Sequence, residues 1–290
     1  MPPAVTVILT THNNPRALEF CLTGFACQDF RDFEIIVADD GSRDETRDMV
    51  RKMRAEFAAS APWLKITHLW QPHRGYYGKA AIVNKAIVYA KTDYLILADG
   101  DVIPRKDHVR THMEMRKPNC FLAGGDFRLV DASTKGLTLD DVRSGRAFTK
   151  EHLMKLGHPK TKKFIKLTPR GWFTEFFDWC NVSPARWSGS NASCWRELLI
   201  KANGFDESFK SWGKDDTELG TRLWNAGVKS RHVRHNAIVM HMYHGESKFT
   251  PEGKVTNLGL LADTKKTKRT RARIGIDERV DDLRIETQNP

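Results

Sequence analysis

Short apolar runs alternate with amphipathic stretches through the first 130 residues of the chain. Residues 5–9 (VTVIL) have the β-branched, apolar character of a buried strand. Asn13 and Asn14 then offer caps, Pro15 suits a first helical turn, and Leu18, Cys21, Leu22 and Phe25 recur at helical spacing. The same reading predicts further strands at 33–38, 64–69 and 94–97. Ser42 and Glu45 have the spacing of a capping box and predict a helix start after the second strand. Residues 71–78 read as a loop entering an apolar helix that runs to Ala90. This rhythm predicts an α/β fold, with a parallel sheet covered on both faces.

Beyond Val130 the alternation fades, and residues 136–188 are rich in basic and aromatic side chains, among them Trp172, Phe176, Trp179 and Trp187. A substrate-specific subdomain is expected there. Regular patterning returns at Gly189-Ser190-Asn191, a helix-like stretch at 194–202, and the segment around Trp212. The expected organisation is a half at 1–130, a second half of the same domain at 131–262, and a basic tail at 263–290. No internal repeat is found.

Composition narrows the picture. With 290 residues and 40% hydrophobic content the chain can bury a core, which excludes dominant disorder. The apolar run at 5–9 is far too short for a membrane span, so a soluble, cytoplasmic protein without a secretory signal is expected. Five cysteines without CxxC spacing predict reduced, mostly buried thiols. The formal charge of +11 favours anionic partners: nucleic acid, phosphorylated ligands or anionic lipid. Part of the excess lies in Lys265, Lys266, Lys268, Arg269, Arg271 and Arg273, which read as a solvated tail.

Candidate chemistry sits where strands end. Asp99 and Asp101 straddle Gly100 after the fourth strand, a spelling shared by ordinary turns and by sites for Mn²⁺ or Mg²⁺, which take oxygen ligands and leave room for diphosphate oxygens. Asp39 and Asp40 end the second strand, and Asp40 is free to accept hydrogen bonds from a nucleobase or ribose if Ser42 caps the helix. Thr10, Thr11 and Asn13 follow the first strand and border the same edge. The loop RGYYGK, ending in Lys79, can present cations and amides to a diphosphate, but it lacks the GxxxxGK[ST] pattern, which argues against NTP hydrolysis. Asp215 and Asp216 precede a helix that they favour through its dipole; one of them can also serve as general base, with Trp212 packing on a sugar ring. An imidazole from HMYHGE, His241 or His244, can complete a metal site.

At this point the residues resemble the family 2 glycosyltransferases with the GT-A fold. VTVILTTHNN, ADDGSRDET, KAAIVNKAI and LILADGDVIP follow that family's pattern in order and spacing. NGFDESFKSWGKDDTELGTRLWNAG resembles the carboxyl-terminal region shared by β-galactosyltransferases and bacterial chondroitin-type polymerases, and together the motifs cover residues 5–244. The resemblance implies a Rossmann-like nucleotide-diphospho-sugar transferase with a mixed, mostly parallel central sheet flanked by helices. It implies Thr10 and Asp40 by the nucleobase and Lys79 near the ribose or diphosphate. Asp99 and Asp101 belong at the donor and metal, with Asp101 the direct ligand. Thr11, Asn13 and Asn191 join the expected nucleotide-sugar-binding set. Asp216 is the implied base, Asp215 and Trp212 contact the acceptor or donor sugar, and His244, or else His241, binds the metal. The implied reaction is a metal-dependent, inverting single displacement using a nucleotide-sugar donor, a UDP-sugar before a GDP-sugar, and a glycan or lipid-linked glycan acceptor. Residues 136–188 and the basic tail are expected to approach a lipid-linked or anionic glycan acceptor at the cytoplasmic face of an anionic membrane.

Two departures stand out: WGKDD replaces the usual WGGED, and residues 136–188 match nothing in the pattern. A sugar-phosphate nucleotidyltransferase shares such a sheet and cation, but its glycine- and arginine-rich amino-terminal loop is missing. A basic nucleic-acid or anionic-surface binding module accounts for the charge, yet no nucleic-acid motif occurs and no nucleic-acid partner is expected.

Overall fold

The computed structural model describes residues 3–245, 250–278 and the backbone of 286–287. Glu246, the last residue of HMYHGE, lies outside the described residues, as do 279–285 and 288–290 of the expected tail. The first half contains β1 (Val5–Thr11), α1 (Pro15–Ala26), β2 (Phe33–Asp39), α2 (Asp44–Ser60), β3 (Lys65–Trp70), α3 (Lys79–Tyr89) and β4 (Tyr94–Asp99). Each of the four strands starts within one residue of its expected position. Then come β5 (Val102–Pro104), α4 (His108–Met115) and β6 (Cys120–Arg128). Three short helices follow, α5 (Asp131–Gly136), α6 (Leu139–Arg143) and α7 (Lys150–Lys155), and then α8 (Trp172–Trp179). The chain closes with β7 (Ala192–Trp195), α9 (Arg196–Lys201), α10 (Asp215–Asn225), β8 (Lys229–His241), α11 (Pro251–Thr267) and β9 (Glu286–Thr287).

The nine strands form one mixed sheet in the order β5-β8-β6-β7-β4-β1-β2-β3-β9. The block β4-β1-β2-β3 is parallel, β6 pairs β8 in parallel, and β5, β7 and β9 run the other way. Period-two alternation sorts the strand side chains onto two faces. Val7, Leu9, Ile35, Val37 and Ile96 pack with Leu22 and Phe25 of α1 and Met53 and Phe57 of α2. Ile8, Ile36, Leu95 and Leu97 pack on the opposite face with Val83 and Ile87 of α3 and with Leu219 and Leu223 of α10. Buried on both faces, the central strands are mostly apolar; Thr6 and Glu34 satisfy each other by a hydrogen bond, and the remaining polar residues of β1, β2 and β4 lie at their carboxyl ends. No helix among the described residues is long and apolar enough to cross a membrane. All five cysteines are free, with Cys21, Cys120 and Cys194 buried and Cys180 exposed.

Three local expectations are corrected. Asn14 does cap α1, accepting from the Ala17 amide, but α2 has no side-chain cap. Ser42 instead ties two loops together: its amide donates to Asp39 Oδ1 at 2.8 Å and its hydroxyl accepts from the Asn13 amide at 2.8 Å. Asp44 and Glu45 in the first turn of α2 favour that helix end through the dipole. Cys194, expected in a helix, lies in β7 opposite Leu95, and the helix begins only at Arg196. The basic cluster is only in part a solvated tail. Helix α11 runs across the expected boundary to Thr267, and the chain then docks on the body, burying Ala272 and Ile276. The Arg273 guanidinium pairs with Asp206 at 2.8 Å and with Asp263 at 2.5 Å. Lys265, Lys266 and Lys268 remain exposed.

Candidate active site

The carboxyl ends of β1, β2 and β4 open into a cleft of about 350 Å³, where a parallel sheet places its ligands. On one wall Asp99 Oδ1 accepts from Thr10 Oγ1 and from Lys79 Nζ, both at 2.8 Å. Burial pushes the Asp99 carboxyl up, but the Lys79 cation and these hydrogen bonds outweigh it and hold the group below its usual range. Asp40 borders the cleft and, contrary to expectation, also has a structural duty. Its carboxylate accepts from Gln71 Nε2 at 2.7 Å and from the Gly78 amide at 2.8 Å, anchoring the loop that enters α3. The approach requires glycine, since a β-carbon at position 78 would stand 2.4 Å from Asp40 Oδ1.

Other expected residues divide between cleft and scaffold. Thr11 and Trp212 border the cleft. Asn13 does not: it sits at φ 50° and its Oδ1 accepts from the Arg43 amide at 2.9 Å, clamping two loops. Asp39 is fully buried, with His68 Nε2 at 2.9 Å. Asn191 is not brought to the cleft either. It is 1% exposed, its Oδ1 accepts from both His108 and His112, and its amide nitrogen donates to the Gly125 and Ala237 carbonyls. Conversely, His12, His73 and Tyr77 line the cleft without having been singled out. His12 Nδ1 donates to the Asp40 carbonyl at 2.8 Å, and its ring centroid lies 4.9 Å from that of His73. Their position right after β1 and inside the 71–78 loop was the one available signal.

Asp101, His241 and His244 converge beside this wall. Their donor atoms all lie within 4.8 Å of one another. Strand pairing makes the cluster: Val102 is registered against His241, and the Met242 amide donates to the Asp101 carbonyl at 3.0 Å. His241 Nε2 and His244 Nε2 each stand 3.6 Å from an Asp101 carboxylate oxygen, beyond direct hydrogen-bond distance. Asp101 Oδ1 is buried without a hydrogen-bond partner. Burial and then the Asp99 charge raise the Asp101 carboxyl, and the two imidazoles and Lys79 only partly oppose them. A carboxylate facing two imidazoles, with one oxygen left without a partner, is a donor set suited to a divalent transition metal such as Mn²⁺. Asp99 lies outside this trio, its Oδ1 being engaged by Thr10 and Lys79.

Lys79 links the Asp99 wall to the acidic pair on α10. Its Nζ lies 3.9 Å from Asp216 Oδ2. Burial alone would lower this amine, but the charges of Asp216 and Asp99 hold it well above its usual value. Burial pushes the Asp216 carboxyl up to about 7, with Asp215 and Asp99 adding to the rise and Lys79 opposing it. A carboxyl poised near neutrality, beside a cleft that also holds cation ligands, has the properties of a general base. Lys214, where the usual pattern has glycine, is held at φ 75°, so the substitution keeps the left-handed backbone that starts α10.

The fold and site define a GT-A nucleotide-sugar transferase architecture. The chain belongs to glycosyl transferase family 2, whose model matches residues 6–165; a second model, described as the N-terminal domain of galactosyltransferase, matches residues 175–245. The chain is similar to the chondroitin synthase of Escherichia coli, 27% identical over 237 residues, which cover 79% of this chain and 33% of that protein. It thus spans about a third of that relative's length. Among solved structures it is similar to the Pyrobaculum calidifontis mannosyltransferase PcManGT in complex with GDP-Man and Mn²⁺, with a TM-score of 0.54 and 17% identity, covering 92% of this chain and 76% of that one. It is also similar to S. aureus TarS in complex with UDP-GlcNAc, with a TM-score of 0.57 and 17% identity, covering 94% and 68%.

Proposed function

We propose that this protein is a metal-dependent inverting glycosyltransferase, moving a sugar from a nucleotide diphosphate donor, a UDP-sugar before a GDP-sugar, to a glycan or lipid-linked glycan. Residues 1–130 form the donor half and 131–262 the acceptor half. The observation that carries this reading is the convergence of Asp101, His241 and His244 beside Thr10, Asp99 and Lys79 at one sheet edge. Mn²⁺ bound by the PcManGT mannosyltransferase and UDP-GlcNAc bound by TarS support it.

Asp101 and the two histidines would hold Mn²⁺ or Mg²⁺, which neutralises charge on the departing diphosphate. Lys79, held cationic by Asp99 and Asp216, adds fixed positive charge on the same side. Asp40, Thr10 and Thr11 border the nucleoside end, and Trp212 offers a face to a sugar ring. Asp216 takes the proton from the acceptor hydroxyl as its oxygen attacks the anomeric carbon and the bond to the diphosphate oxygen breaks. The proton ends on the Asp216 carboxylate and the electron pair on the nucleoside diphosphate, and no covalent enzyme intermediate is required.

Incubation with Mn²⁺ and a panel of nucleotide sugars should release one nucleoside diphosphate, and Asp101→Ala should abolish the release. If no donor is bound or turned over and Asp101→Ala changes nothing, the reading fails.

A further inference from the structure

Helix α8 is turned inside out for a surface helix. Thr174 and Asp178 face the body, where Asp178 accepts from Asn236 Nδ2 at 2.6 Å and from His235 Nδ1 at 2.9 Å. Trp172 and Trp179 are 81% and 77% exposed. Beside the helix lie two hollows of 630 and 570 Å³. Ser183, Pro184, Trp224 and His232 line both, so the two are one groove, and each volume falls in the range of about 300–1,000 Å³ typical of ligand sites.

The groove is cationic. Lys166, Arg186, Lys229, Arg231 and Arg234 face it against two carboxylates, Asp126 and Asp178. Both carboxylates are already engaged, Asp126 by Arg128 Nε at 3.0 Å and by Lys166 Nζ at 3.8 Å, and Asp178 by His235 and Asn236, so Arg186, Lys229, Arg231 and Arg234 face the groove without either carboxylate as a partner. Arg186 is exposed and makes no hydrogen bond or ion pair among the described residues. Burial lowers the Lys166 amine, Asp126 offsets it in part, and the neighbouring Arg234, Lys163 and Arg128 charges press it lower still. Cations crowded in this way are relieved by an added anion. Trp224, which lines both hollows, also has a buried Nε1 without a hydrogen-bond partner.

Backbone links join the groove to the catalytic cleft. Arg186 precedes by three residues Gly189, which abuts Asp216 and Lys79. On the other wall, Asp126 and Arg128 lie on β6 next to Val239 and His241 of β8, the strand that carries the metal-site imidazole. A chain lying in the groove with its reactive hydroxyl at Asp216 would set its next units against the cations, and the indole of Trp179 gives a flat apolar face for a pyranose ring.

We propose that this groove binds the acceptor and that the acceptor is an anionic glycan, its carboxylate- or phosphate-bearing unit seated against Lys166, Arg186 and Arg234. The assignment rests on Asp216 acting in glycosyl transfer, as proposed above. It is tested on the full chain by titrating labelled oligogalacturonate, a glycerol phosphate oligomer, neutral maltooligosaccharide and a short thymidine oligonucleotide, at about 50 mM and about 500 mM salt. At least one charged glycan should bind roughly tenfold tighter than the neutral one, with the advantage lost at high salt. Which of the two binds tells carboxylate from phosphate recognition. Arg186→Glu, at an exposed site, should erase the advantage, and Lys166→Met should reduce it. UDP binding measured on the same samples reports that the donor cleft is folded. No preference for either charged glycan, no effect of Arg186→Glu, or oligonucleotide binding as tight as that of the better glycan overturns the proposal. A protein that takes up UDP-sugars but shows no such preference defeats the acceptor assignment alone, whereas one that takes up no nucleotide sugar defeats the donor assignment.

Discussion

Gly189 lies so close to Asp216 that a β-carbon at position 189 would stand 2.5 Å from the carboxylate Oδ1 and 2.8 Å from Lys79 Nζ. Contacts that short force something to move, and the movable groups are the Asp216 carboxylate, the proposed base, and the Lys79 amine that faces it. Gly189→Ala should therefore lower kcat by roughly 100-fold, the scale of a reacting group misplaced by about 1 Å, while the protein stays folded. Gly171, with nothing within 4 Å of its added β-carbon, supplies the control. Equal steady-state kinetics for the two alanine variants would refute a fitted contact.

The position of Asp216 also sets a pH profile. Only its ionised form accepts a proton, and burial, then Asp215 and Asp99, hold the carboxyl up at about 7. Turnover should rise with pH through about 7 and level off above it. Lys79 pulls the carboxyl down, so Lys79→Met should move the ascending limb to higher pH. Asp216→Asn should lose roughly 10²- to 10⁴-fold in kcat, with no ascending limb in what activity survives. A limb that stays put in Lys79→Met would separate the profile from this carboxyl.

Removal of divalent cations tests the proposed metal site on the other side of the cleft. Chelation should abolish nucleotide-sugar turnover, and added Mn²⁺ should restore it. Asp101→Ala, His241→Ala and His244→Ala should each weaken Mn²⁺ binding, read by calorimetry or electron paramagnetic resonance. The loss should be about tenfold or more, since even second-sphere partners carry 10- to 100-fold. Asp99→Asn should leave Mn²⁺ affinity nearer the wild-type value, because Asp99 is outside the trio. Unchanged Mn²⁺ affinity in Asp101→Ala would remove the proposed site.

Lys214 holds a left-handed backbone conformation at φ 75° that disfavours a side chain by roughly 1–2 kcal/mol. Lys214→Gly should accordingly raise the unfolding free energy by about 1 kcal/mol, after the entropy of the freer unfolded chain is subtracted. Chemical denaturation at neutral pH measures it, and a destabilised variant would mean that the lysine side chain makes up for its backbone.

The parallel core was legible because its strands are buried on both faces: the runs at Val5, Phe33 and Tyr94 are apolar but for Thr6 and Glu34, which hydrogen-bond to each other, and their ends are marked by Thr10, Asp40 and Asp99. Asp101 and the imidazoles are 140 or more residues apart, and only the pairing of β5 with β8 joins them, so spacing could not reveal the trio. Asn191 looked like a ligand-binding amide because its true partners, His108 and His112, are about 80 residues away on α4. The groove cations were hidden for the same reason, Lys166 and Arg234 meeting only because β6 lies beside β8. Ser42 failed as a cap because the loop after β1, invisible to local pattern, claims its hydroxyl.

That buried pair of imidazoles gives the fold an acid limit distinct from the catalytic one. His108 Nε2 and His112 Nε2 both donate to Asn191 Oδ1 at 3.0 Å, and His112 Nδ1 lies 2.7 Å from Ser193 Oγ. Burial holds His108 down to about 4, partly countered by the Asn191 hydrogen bond, and lowers His112 well below its usual value. Both are therefore neutral in the folded protein at pH values where the unfolded chain, with histidine near 6.5, is already taking up protons. Unfolding then binds protons, so their contribution is fully present above about pH 6.5 and is lost as the pH falls toward 4. For His108 alone the span amounts to roughly 3 kcal/mol, at about 1.4 kcal/mol per unit. Urea denaturation at successive pH values should show this decline, with uptake of about one to two protons on unfolding near pH 5. Activity should already have fallen reversibly nearer pH 7 as Asp216 protonates, before stability is much affected. A stability that stays flat from pH 7 to 5 would show that these imidazoles are already charged, or exposed to solvent, in the native fold.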